Sequence, residues 1–174
     1  MDISQTFSQI LRTSKDGFLW SLEQVPSDRL GAPPPKELGD WVVVKHLFHM
    51  VYYESTAVLP TMKQWLGGPV FDWNTYDEDR AWALNEKDKA SLADLVKQFK
   101  TLREEQITLL PQITPELWHR IGESHFGPKT PYWFVSKTCQ HTYEHANYIM
   151  QIALFWDDIL AHEANQKSAS GSAC

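Results

Sequence analysis

The sequence predicts an all-α protein, a four-helix bundle with a long crossover between the second and third helices. Three observations carry this. Four segments of roughly 20 residues or more repeat apolar residues at 3- and 4-residue steps. Pro- and Gly-rich punctuation separates them. No alternating run is strong enough to compete as a strand.

The first helix spans about Ile3 to Val25, with Phe7, Ile10, Leu11, Ser14, Phe18 and Leu22 on one face. Pro33-Pro34-Pro35 cannot continue it. The second opens near Gly39-Asp40-Trp41 with Asp40 as N-cap, passes His49 and Tyr53, meets Pro60 as a kink and stops at Gly67-Gly68-Pro69. Residues 70–90 read as the crossover, with a short helical turn near Ala81–Leu84. The third helix has the cleanest stripe, from Leu92 through Leu95, Val96, Phe99, Leu102 and Gln106 to Ile113, with Ser91 as N-cap and Asp94 three residues on. Thr114-Pro115 starts a short helix, and Thr130-Pro131 starts the fourth long one, which runs to about His162. Gly122 to Pro128 forms a loop between them. Residues 1–165 make one domain, and the Ser/Ala/Gly-rich residues 166–174 a disordered tail.

Composition narrows function. Apolar residues are 43% and aromatic residues 13%, which suits a chain with a packed core. Most of the eight Trp are expected in the core or in pocket walls. The net charge is −6 with no Lys/Arg cluster, so nucleic acid is not an expected partner. No segment has the length of a membrane span, and the start lacks a secretory pattern. Cys139 and Cys174 make no disulfide framework. A cytoplasmic setting with reduced thiols follows as the expectation.

The chemistry sits in Thr138-Cys139-Gln140-His141-Thr142-Tyr143-Glu144-His145. Two histidines four apart stack one turn apart on a helix, about 40° from eclipsed. Both fall in the inward stripe Phe134, Thr138, His141, Thr142, His145, Tyr148, Ile149, Ile152. Polar rings in an apolar stripe need partners, and one metal ion satisfies both. The spacing by itself is weak, because seven histidines in this length often produce such a pair by chance. A third ligand must come from the second helix, where His46 and His49 share a rough face and periodicity does not choose between them.

Trp41, His49, Met50 and Glu54, followed by His141 and His145, resemble the DinB-like superfamily of small four-helix bundles with a metal site. The resemblance spans about residues 5–160. It implies that His49, not His46, joins His141 and His145 around a divalent transition metal, with Zn, Ni, Fe and Mn all compatible with imidazole. There are departures. Val42 follows the opening Trp where Ser or Thr is usual, and Ala146-Asn147-Tyr148 replaces the Arg-Gly-Gln of many members. Substrate class is therefore not carried over from those members. The resemblance implies an enzyme handling a low-molecular-weight thiol, with S-transfer as the first reaction to consider and hydrolysis or isomerisation as alternatives. A non-catalytic, stress-related metal-binding protein and a bundle without metal are the other readings. Homodimers occur among relatives.

Other residues have plainer readings. Glu54 is about 140° round the helix from His49, so it pairs with Arg103 rather than with the metal. Tyr53, one turn past His49, could direct its hydroxyl at a substrate, although a core Tyr is the simpler role. Cys139 reads as a packing residue, His119 and His125 as surface residues, and His162 as a helix C-terminal cation.

Overall fold

The computed structural model describes residues 2–88, 90–124 and 126–171. The helices are α1 (Ile3–Glu23), α2 (Val43–Tyr53), α3 (Leu59–Trp65), α4 (Glu78–Asp88), α5 (Leu92–Leu109), α6 (Pro115–Trp118) and α7 (Pro131–Gly171). The four helices of the bundle are α1, the α2–α3 unit, α5 and α7, joined with a long crossover that carries α4. Among the described residues there is no strand, only one antiparallel bridge, Gly122 to Lys129. No described helix is long and apolar enough to cross a membrane.

The capping signals act as the sequence indicates. Ser91 accepts from Asp94 N–H, Thr114 from Leu117 N–H and Thr130 from Trp133 N–H, and Asp2, not singled out in the sequence, caps α1 by accepting from Ser4 N–H. Other boundaries differ. Asp40 does not cap α2. Gly39 turns the chain at φ +97° after a short 3-10 turn, and Trp41 and Val42 precede the first helical residue, Val43. The Val44 N–H instead donates to the Leu30 carbonyl at 3.0 Å, so the Pro-rich loop caps the helix. Pro60 makes no simple kink. A π turn over Glu54–Val58, with Leu59 N–H reaching back to Glu54 C=O, absorbs the misfit that proline creates.

The crossover holds more structure than expected. Asp77 caps α4 through Arg80 N–H at 3.1 Å, and an eleven-residue helix replaces the single turn anticipated at Ala81–Leu84. At the other end, α7 continues past His162 through Gly171, so residues 166–171 are helical where disorder was expected. No proline interrupts that segment. The expectations for His125 and Cys174 lie outside the described residues.

The core has two apolar halves. One gathers Phe7, Leu11, Met62, Leu110, Trp118 and Phe134; the other gathers Phe18, Leu47, Met50, Phe99, Ile149 and Ile152. Cys139 packs in the first half, where burial pushes its thiol up to about 11 and leaves it unreactive. Between the halves every long helix places polar side chains: Ser14, Glu54, Arg103, Gln106, Thr138 and Thr142, all buried. Arg103 forms an ion pair with Glu54 and donates to Thr142 Oγ1 at 2.8 Å, while Gln106 donates to the second Glu54 oxygen at 2.8 Å. Full burial pushes the Glu54 carboxyl up to about 7, against the pull of Arg103 and Gln106. The expected Glu54–Arg103 pair is therefore present. Most of the described tryptophans lie where expected: Trp118 and Trp156 are buried, Trp65 and Trp82 pack against the two halves of the core and Trp41 lines a cavity, whereas Trp20 and Trp133 are exposed.

Candidate metal centre

The polar belt ends in a cluster of histidines. His49 on α2 faces His141 and His145 on α7. Its Nε2 lies 3.0 Å from His141 Nε2, which lies 3.1 Å from His145 Nε2. One ligand atom from each ring falls within 4.8 Å of the others. Nitrogens bound about 2.1 Å from a common ion stand about 3.0–3.4 Å apart, so the spacing suits a metal. The rest of each ring is packed: the Tyr53 ring stacks on His49, centroids 6.0 Å apart, and meets His141 edge-on at 4.9 Å.

Two neighbours decide which nitrogens are available. Glu78, from the first turn of α4, accepts from His49 Nδ1 at 2.6 Å. A carboxylate only accepts, so Nδ1 carries the hydrogen, and in the neutral ring the Nε2 lone pair faces the cluster. Carboxylate behind imidazole is the arrangement that orients metal-binding histidines. Tyr76 Oη donates to the other Glu78 oxygen at 2.9 Å. Burial works to raise the Glu78 pKa, but the His49 contact, Tyr76 and Lys45 outweigh it and hold the carboxyl below its usual value. His46 is the second neighbour. It does not join the Nε2 cluster; its Nδ1 lies 2.9 Å from His145 Nδ1, on the far side of that ring.

Burial, reinforced by the nearby His49, pushes His46 down to about 4, His141 to about 3 and His145 to about 2. All three rings are neutral at pH 7, the form that binds a metal. The Trp41 ring covers the group, 5.3 Å from His46, 5.3 Å from His49 and 6.0 Å from His145. Beside it opens a cavity of about 410 Å³ that His46, His145, Trp41 and Tyr148 help to line. Tyr148, placed in the inward stripe by periodicity, is half exposed at this opening.

The structure thus brings together the three histidines that the sequence singled out. It missed Glu78, although Asp77-Glu78-Asp79 is an acidic helix start that could have flagged α4. It also missed the contact between His46 and His145. Tyr53 is buried, and burial and Glu54 hold its phenol well above its ordinary pKa, so it stays protonated.

The family model described as the DinB superfamily matches residues 10–149. The chain belongs to the DinB superfamily. Among solved structures, this DinB-superfamily chain is similar to YfiT from Bacillus subtilis, described as a probable metal-dependent hydrolase with an unusual four-helix bundle topology. The TM-score is 0.73 at 17% identity, covering 86% of this chain and 85% of that one. At that identity the likeness shows the fold. No curated protein matches the chain.

Proposed function

We propose that the protein is a metal-dependent enzyme, with His49, His141 and His145 as ligands through Nε2, that activates a low-molecular-weight thiol for S-transfer. One observation carries the reading: three imidazoles converge, one of them, His145, also lines a cavity, and together they supply only three ligands, the pattern of a catalytic rather than a closed structural site. A divalent ion held by His49, His141 and His145 would act as a Lewis acid and would lower the pKa of a thiol or water bound to it. Glu78 fixes the tautomer and orientation of His49. Trp41 shields the ligands from bulk water, and Tyr53 braces His49 and His141. In S-transfer the thiol gives its proton to solvent, its sulfur forms a bond to the electrophilic carbon, and the bond from that carbon to the leaving group breaks, the leaving group departing with the electron pair. Hydrolysis is the second reading, supported by the description of YfiT, since water can occupy the same open position.

The test is turnover by protein loaded separately with zinc, nickel, iron(II) or manganese. Thiol alkylation by 1-chloro-2,4-dinitrobenzene reads transfer, and p-nitrophenyl acetate reads hydrolysis. Metal-dependent thiol turnover is expected; turnover of the ester alone would favour hydrolysis, and no metal-dependent turnover of either would overturn the enzyme reading.

Three further results are expected. Metal-binding calorimetry of Glu78→Gln should show affinity lowered about 10- to 100-fold, because the orienting carboxylate is lost. His46→Ala should keep most of its metal while His49→Ala loses it; equal losses would mean that His46 is also a ligand. Chelation should leave helicity and cooperative unfolding in place, with only a modest fall in Tm by circular dichroism, since both apolar halves of the core persist without the ion. Loss of helix on chelation would make the metal structural.

A further inference from the structure

The cavity beside the histidines has a charge pattern of its own. Glu37 and Asp40 line it, both exposed, on the turn that leads into Trp41. Neither carboxylate has a hydrogen-bond or ion-pair partner among the described residues. No described Lys or Arg lines the cavity. Its walls include Trp41 and Tyr148, and its inner end is formed by His46 and His145, so the cavity shares His145 with the ligand set. The Trp41 ring already carries the Lys45 ammonium at 4.8 Å, outside the cavity lining. Tyr148 and the two carboxylates are therefore what the cavity itself offers to a ligand cation.

Resting on the metal reading above, we infer that the cavity selects a zwitterionic small molecule, with its anionic, metal-binding end toward the histidines and a cationic ammonium end at the Glu37–Asp40 mouth. Three neutral ligands leave a divalent ion its positive charge, which attracts an anionic sulfur or oxygen. The mouth carries two negative charges with no compensating cation in the wall. A ligand with opposite charges at its two ends meets both fields favourably, whereas one that is anionic at both ends meets repulsion at the mouth. Aromatic walls add affinity for a bulky or quaternary ammonium.

The test compares three thiols with the zinc-loaded protein by calorimetry: thiocholine, with a permanent cation that cannot bind zinc through nitrogen; neutral 2-mercaptoethanol; and anionic 3-mercaptopropionate. Choline, which has no thiol, is titrated separately. Thiocholine is expected to bind roughly tenfold more tightly than 2-mercaptoethanol, with 3-mercaptopropionate weakest. The double variant E37Q/D40N, at two exposed positions whose carboxylates hold nothing in the fold, should shrink the preference for thiocholine over 3-mercaptopropionate about tenfold, leaving the order set by the thiols' own acidities. Equal or tighter binding of 3-mercaptopropionate, or a preference unchanged in E37Q/D40N, overturns the inference. If no thiol binds, the thiol reading of the metal falls and choline decides the cavity. Choline binding abolished in E37Q/D40N supports a cation-selective mouth, and choline binding that is absent or unaffected by the variant overturns it.

Discussion

Replacing Glu54 with alanine is expected to destabilise the protein by about 3–5 kcal/mol. The Glu54 and Arg103 side chains are both fully buried, so the substitution strands a guanidinium in the bundle interior with Thr142 as its remaining acceptor. Gln106 loses its acceptor at the same time. A loss of this size is a large share of the stability of an ordinary domain. Urea unfolding followed by circular dichroism reads it directly. The double variant E54L/R103L should recover most of the loss, because removing both partners leaves no buried charge unpaired and only the Gln106 amide without its acceptor. A loss below about 1 kcal/mol in Glu54→Ala would show that the pair is not held in a dry interior. The metal site should feel the change as well, since Thr142 adjoins His141 and Glu54 follows Tyr53, and a weakened zinc affinity alongside the lower urea midpoint would report that link.

The metal-free protein is expected to lose stability steeply as pH falls below 6.5. His46, His141 and His145 have folded values near 4, 3 and 2, all below the 6.5 of a free imidazole. A depressed value means that the unfolded chain takes up protons that the fold refuses. The contribution is intact above pH 6.5 and is lost as pH drops toward the folded values. Glu54 runs the other way: with its folded value raised to about 7 from 4.5, it gives stability at low pH that is lost as pH rises through 7. Three protons against one leave a net of two, or on the order of 3 kcal/mol per pH unit at most. Two pH units then consume an amount comparable to a domain's whole stability. Urea midpoints at pH 7.5, 6.5 and 5.5 in the presence of a chelator test this, and a flat or rising midpoint on acidification would sink it. Zinc should shift the transition to lower pH, since a bound ion holds the three ligand rings deprotonated.

The parts of the fold that were legible in the chain are those set by local rules. Ser91, Thr114 and Thr130 announce their helices because a cap depends on three or four consecutive residues. His141 and His145 share a face because a helix repeats every 3.6 residues. Glu54 and Arg103 could be paired because an interior charge needs its opposite. The choice of His49 over His46 came from the resemblance, since both rings are buried and both reach His145 or its partner. The long crossover was visible as a gap in periodicity, but that same lack of a stripe hid α4, a helix with a weak apolar face whose main partner is α2.

The sequence by itself determined an all-helical bundle, its caps, the inward placement of the histidines and the need for a counter-charge to Arg103, because hydrophobic periodicity and capping act over a few residues. Tertiary structure alone decided the rest. It brought Glu78 to His49 across 29 positions, turned His46 to the back of His145 and closed Trp41 over the cluster. It also opened the acidic mouth at Glu37 and Asp40. Each of these depends on how a loop or an irregular segment lies against a helix far away in the chain, and no short-range spacing encodes that distance.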